Sequence, residues 1–132
     1  KIRGRDLTVG VLGEEYLPAV EMISQNGSYF DYAAKYQSGQ SLEICPAPIT
    51  PDQQKTIGEL ALKLHRALGL RAYSRTDFLL DEEGRAWCLE VNSLPGMTPG
   101  SLIPKAAAAV GMDYPTLCEE IVGRSYHLKR RG

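Results

Sequence analysis

Cysteine is scarce in this 132-residue chain, which has 3 and no CxxC spacing. An odd, unpaired set speaks against a disulfide framework and for a reducing, cytoplasmic compartment. Charge of one sign is lacking too: 15 Lys and Arg nearly balance 16 Asp and Glu, for a net charge of -1. No nucleic-acid or membrane surface is expected from such a balance, and the basic tail Lys129-Arg130-Arg131 reads as a solubilised helix end. No apolar run approaches bilayer-spanning length, and no signal peptide is visible. Repeats and low-complexity tracts are absent as well. There is no initiator methionine, and Lys1-Ile2-Arg3-Gly4-Arg5-Asp6 runs straight into a strand, so the chain reads as a piece of a longer protein.

The length suffices for one domain with a real core. Asp6 to Leu12 is β-rich, and Gly13-Glu14-Glu15 turns it back into Tyr16 to Ile23, with Pro18 marking an edge or bulge. Tyr29 to Ser41 is polar and aromatic and reads as a loop, with a short strand after it from Leu42 to Pro46. Thr50 opens a helix, with Pro51 at the first helical position and Gln53 completing a capping box. Ile57, Leu60, Ala61, Leu64, Ala67 and Leu68 form its apolar stripe, and Gly69 stops it. His65 beside the stripe reads as a partly buried packing residue. Ser101 is placed to cap a helix from Leu102 to Val110, and Asp113 caps a last one from Tyr114 to about Lys129. Cys45 and Cys88 fall in strands and Cys118 in a helix, all three as small core residues and none as a catalytic thiol. The order of elements implies an α+β fold, a mostly antiparallel sheet covered by helices.

The segment from Tyr73 to Pro104 carries the chemistry. Two apolar strands flank the turn Asp81-Glu82-Glu83-Gly84, and Arg75, Asp77, Glu90 and Asn92 sit at alternating positions in them. Side chains two apart share a face of a strand. A loop of even length puts Asp77 opposite Cys88 and Arg75 opposite Glu90, with all four polar groups on one face. Thr76, Phe78, Leu80, Trp87, Leu89 and Val91 then fall on the other. Burying such polar groups unpaired is expensive, and hard oxygen ligands of this kind suit magnesium held jointly with phosphates. A surface hairpin with a merely solvated polar face fits the same spacing, which does not separate the two readings.

Four blocks in order then resemble the ATP-grasp ligases, and within them the D-alanine–D-alanine ligases. They are Asp31-Tyr32-Ala33-Ala34-Lys35-Tyr36, Arg75-Thr76-Asp77, Glu90-Val91-Asn92 with Leu94-Pro95-Gly96-Met97-Thr98, and Ser101-Leu102-Ile103-Pro104. The resemblance covers essentially residues 1–132 and corresponds to the C-terminal ATP-grasp lobe. It implies ATP-dependent joining of two D-alanines through an acyl phosphate, for peptidoglycan. Lys35 and Arg75 would neutralise phosphates, and Asp77, Glu90 and Asn92 would hold two Mg²⁺, or Mn²⁺ in their place. Arg75 and the Gly96 N–H would form an oxyanion hole. Ser101 and the Leu102 N–H would hold the second D-alanine's carboxylate. Tyr36, on a loop that closes over the site, goes with an amine acceptor rather than D-lactate. Asp6 stands where the family usually has a ribose-contacting Glu.

The same resemblance implies that the N-terminal domain and the small ATP-grasp subdomain lie outside this chain. The implied partners are therefore ATP, D-alanine, the rest of the same ligase and a second copy in a homodimer. A ligase with a different acceptor, a non-catalytic nucleotide- or metal-binding module, and a plain structural domain are the other readings.

Overall fold

A computed structural model describes residues 2–24 and 41–131. Nine elements follow in order: β1 (Gly4–Leu12), β2 (Glu15–Tyr16), β3 (Val20–Ser24), β4 (Ser41–Ile44), α1 (Pro51–Ala67), β5 (Tyr73–Asp81), β6 (Ala86–Asn92), α2 (Leu102–Ala109) and α3 (Tyr114–Arg131). The strands form one antiparallel sheet in the order β4-β3-β1-β5-β6, with β2 paired to the end of β1. This is the α+β architecture expected.

The sheet is buried on both faces by different helices. Leu7, Val9 and Val11 of β1 meet Phe78 and Leu80 of β5 beneath Ile57 and Ala61 of α1. On the opposite face Leu12 and Val20 pack with Ile103, Ala106 and Ala107 of α2 and Leu117 of α3. The run of alanines allows α2 to lie close. Gly10 helps for the same reason, because a Cβ there would meet Ile103 at 3.1 Å and Leu17 at 3.3 Å. Gly10 is the cross-strand partner of Arg75. The first turn of α2 is therefore set over the strand position beside Arg75.

The start of α1 matches its sequence signals. Thr50 Oγ1 accepts from Gln53 N at 3.1 Å, and Gln53 Oε1 accepts from Thr50 N at 3.0 Å. The stretch from Tyr16 to Ile23 is not one strand, however. Pro18 has no N–H to donate, so the chain pairs as β2, leaves the ladder, and re-enters as β3. His65 is fully buried at 1 % exposure, with Nδ1 at 2.7 Å from Ser74 Oγ, and burial lowers its pKa. Of the cysteines, Cys45 and Cys118 are half-buried and Cys88 is exposed. Cys88 is thus not a core residue, because it lies on the edge strand β6. Cys45 follows β4 rather than lying in it.

Gly58 in the middle of α1 makes a stability prediction. A glycine-to-alanine change inside a helix ordinarily stabilises by roughly 0.5–1 kcal/mol. Here a methyl group would stand only 2.4 Å from two carbons of the Tyr16 ring, and such overpacking costs about 1–3 kcal/mol. Gly58→Ala is expected to lower the thermal midpoint. In a Tyr16→Ala background the same change is expected to be neutral or stabilising.

Candidate functional site

The β5–β6 hairpin assembles the acidic face, by a route different from the one the sequence suggested. Asp81 N donates to Arg85 O at 2.9 Å and Gly84 N to Asp81 O at 3.0 Å. The loop between these strands is thus three residues long, Glu82-Glu83-Gly84, with Gly84 at φ 82°. A left-handed third residue is what such a loop needs. Its odd length pairs Leu79 with Trp87 and Phe78 with Cys88. A β-bulge then places one extra residue, Leu89, in β6 and pairs Asp77 with Glu90, Thr76 with Val91 and Arg75 with Asn92. The expected pairs Asp77–Cys88 and Arg75–Glu90 are therefore wrong by two positions. The facing of the four polar residues is still right, because odd loop and bulge cancel in parity.

The same shift corrects the expected apolar face. Trp87 lies beside Leu79 on the Asp77 side, 42 % exposed, and Leu89 is 58 % exposed at the bulge. Trp87 Nε1 donates to Asp81 Oδ2 at 2.9 Å, and Arg85 stands over the Trp87 ring. Asp81 also accepts from Glu83 N, Arg85 N and Arg85 Nε at 2.8–3.0 Å. The Trp87 bond first, and the Arg85 bonds after it, hold its carboxyl down at about 2. Asp81 thus pins the turn and carries a structural charge.

The centre of the face is a guanidinium between two carboxylates. Asp77 is 6 % exposed. Arg75 Nε donates to Asp77 Oδ1 at 3.2 Å, Arg75 Nη2 to Asp77 Oδ2 at 3.4 Å, and Nη2 stands 4.0 Å from Glu90 Oε1. Directly opposed like charges on paired strands destabilise a sheet. Asp77 and Glu90 are such a pair, with Arg75 as the cation that offsets their repulsion. Thr8, opposite Asp77 on β1, donates its hydroxyl to Asp77 Oδ1. Asp6, half-buried two positions from Thr8, shares that face through its pairing with Leu79.

These oxygens fit a magnesium ion. They are hard donors, two carboxylates and the amide of Asn92, whose Oδ1 accepts from Leu94 N at 3.0 Å and keeps a second lone pair. Magnesium is commonly bound by one or two carboxylates together with substrate phosphates. A larger cage is not available: no cluster of three His, Cys, Asp or Glu side chains suited to a metal occurs among the described residues.

A second group gathers at α2. A Cβ on Gly96 would meet Ser101 Oγ at 3.2 Å, so the Pro95-Gly96 turn and Ser101 are neighbours. Ser101 occupies the N-cap position of α2, but its side chain does not cap. It accepts from Thr98 N at 3.1 Å and bonds Thr98 Oγ1 at 2.7 Å. Thr98 engages the hydroxyl instead, and Pro104, the third helical residue, removes one of the two N–H groups that a capping oxygen can receive. Leu102 opens the helix beside Ser101. Tyr114 on α3 holds the same loop by donating its hydroxyl to Met97 O. Lys35 and Tyr36 lie outside the described residues.

Sequence reasoning missed Thr8, Trp87 and Asp81 on this face. Alternation of polar Asp6 and Thr8 in β1 was the available signal for Thr8. The turn length hid the other two.

Residues 1–123 match the family model described as D-ala D-ala ligase C-terminus. The D-alanine–D-alanine ligase of Nitratidesulfovibrio vulgaris is 45% identical over 121 residues, which cover 92% of this chain and 40% of that protein. A crystal structure of the D-alanine–D-alanine ligase of Bacillus anthracis complexed with ATP superposes with a TM-score of 0.83 at 30% identity, over 100% of this chain and 43% of that one. The VanG D-Ala:D-Ser ligase of Enterococcus faecalis superposes at 0.78 with 29% identity, over 93% of this chain and 36% of that one. The chain thus spans about two fifths of the length of the curated relatives it matches. By sequence and by fold, the chain belongs to the D-alanine–D-alanine ligase family, in its C-terminal part.

Proposed function

We propose that residues 1–132 form the C-terminal ATP-grasp lobe of a cytoplasmic, homodimeric ligase that joins two D-alanines for peptidoglycan at the expense of ATP. The observation that carries this is the Asp77–Glu90 pair. Two like charges are held opposite each other on adjacent strands with one guanidinium between them. That arrangement costs stability unless a cation and a polyanion use it.

Asp77, Glu90 and Asn92 would hold two Mg²⁺ ions, for which Mn²⁺ can substitute. The bound metal would supply neutralising charge for the triphosphate during phosphoryl transfer. Arg75 would release Nη2 from Asp77 Oδ2, keeping its Nε bond to Oδ1, to contact phosphate and, with the Gly96 N–H, the oxyanion of the tetrahedral intermediate. Gly at position 96 allows the backbone to approach substrate. Ser101 Oγ and the Leu102 N–H would receive the carboxylate of the second D-alanine, since a helix start without a side-chain cap has N–H groups to offer an anion. Lys35 would add phosphate charge, and Tyr36 would face the acceptor. Asp6 would approach the ribose, one methylene shorter than the usual Glu.

The Enterococcus faecalis neighbour is a D-Ala:D-Ser ligase, which supports a second reading with D-serine as acceptor. A full-length ligase carrying this lobe, given MgATP and D-alanine, is expected to release one ADP per D-alanyl-D-alanine formed. D-Serine and D-lactate are expected to be poor acceptors. ATP hydrolysis without dipeptide, or preferred incorporation of either alternative, would contradict the assignment. The isolated lobe is expected to show no turnover, because ATP in this family lies between two lobes.

A further inference from the structure

We propose that Thr8 is a positioning residue for Asp77: its hydroxyl fixes one carboxylate oxygen so that the other is presented to a divalent cation. The inference rests on the reading of Asp77 as a magnesium ligand given above.

Thr8 and Asp77 are direct partners across the β1–β5 ladder, so both side chains rise from the same face. Thr8 is 1 % exposed. Its hydroxyl has one proton and two acceptors in reach, Asp77 Oδ1 and, at 3.3 Å, Thr76 O. A bond to a charged oxygen is the stronger, so the proton goes to the carboxylate. Asp77 Oδ1 is also the oxygen that receives Arg75 Nε at 3.2 Å. Oδ2 has only the longer contact to Arg75 Nη2 at 3.4 Å. One carboxylate oxygen is thus fully occupied by the protein, and the other is weakly held.

That division is what a metal-binding carboxylate needs. Rotation about its last side-chain bond would otherwise let either oxygen turn to Arg75. Hydrogen bonds to a ligating carboxylate from behind fix its orientation and raise metal affinity. Strand propensity alone does not account for threonine here. Valine has the same shape, suits a buried strand as well, and buries no hydroxyl.

The experiment uses a full-length ligase carrying this lobe and measures Mn²⁺ binding in the presence of ADP, by electron paramagnetic resonance of free Mn²⁺. Thr8→Val is expected to weaken Mn²⁺ binding by about tenfold, with Thr8→Ser restoring it. The thermal midpoint of the valine variant is expected to fall by no more than the loss of one hydrogen bond, with the variant still fully folded at the assay temperature, which separates positioning from a general loss of structure. Should the valine variant fail to fold, Thr8→Ala takes its place with the same expectation. A loss smaller than about threefold, or a serine variant as weak as the valine one, overturns the proposal. If the unsubstituted ligase binds no Mn²⁺ with ADP, the magnesium reading of Asp77 falls and the role of Thr8 with it.

Discussion

Asp77→Asn in a full-length ligase is expected to lower kcat on the order of 10³-fold, the scale of removing one charge-stabilising group from a transition state. The substitution keeps the shape of the side chain and an oxygen that can accept from Thr8. It removes the charge that binds a cation, and it sets an amide N–H₂ against the Arg75 guanidinium, donor facing donor. Stability is expected to change little. Asp77 stands directly opposite Glu90, and like charges at that spacing repel. Removing one of them relieves that repulsion, the weakened Arg75 pairing works against the gain, and the two are expected to leave stability nearly level while the rate falls. Steady-state ADP release and calorimetry on the same samples check both halves. A variant that loses its fold but keeps its rate per folded molecule would remove Asp77 from the mechanism.

Arg75→Lys is expected to cost about 10²–10³-fold in kcat, the range seen when one oxyanion donor is lost. Charge is conserved, so a role limited to neutralising the site would leave the rate nearly intact. Geometry is not conserved. Arg75 sends Nε and Nη2 to the two oxygens of Asp77 and brings Nη2 to 4.0 Å from Glu90. A lysine ammonium is a point charge and cannot make that fork. The loss is expected mainly in kcat, with a smaller rise in KM for ATP, because the planar fork matters most where charge develops on transferring and tetrahedral oxygens. A rise in KM with kcat unchanged would place Arg75 in ground-state binding alone.

The sequence was most legible where the signal was local. Thr50, Pro51 and Gln53 set the start of α1 because capping chemistry involves neighbours in the chain. Alternation in β5 placed Arg75 and Asp77 on one face, and Glu90 and Asn92 joined them in β6. Register was not legible in the same way. It depended on Gly84 taking a left-handed conformation and on the Leu89 bulge, and hydrophobic pattern encodes neither. Trp87 was misplaced for that reason.

Thr8 escaped notice because its partner lies 69 residues away. Ser101 gives its hydroxyl to Thr98 rather than to the helix, and Pro104 at the third helical position removes one capping donor, a local effect that was readable and overlooked. The gathering of Gly96 with Ser101 is a consequence of loop packing beneath Tyr114, beyond the reach of periodicity. Membership of the ligase family was carried by four short blocks in order, and the match over residues 1–123 agrees with them.

In the proposed site, paired strands aim Asp77, Glu90 and Asn92 at a shared metal–triphosphate position. Anomalous diffraction from crystals of a full-length ligase soaked with Mn²⁺ and a non-hydrolysable ATP analogue measures it most directly. Manganese peaks are expected at about 2 Å from carboxylate oxygens of Asp77 and Glu90 and from the Asn92 amide oxygen, with the phosphates completing each shell. Manganese bound with nucleotide but touching none of these three side chains would contradict the account.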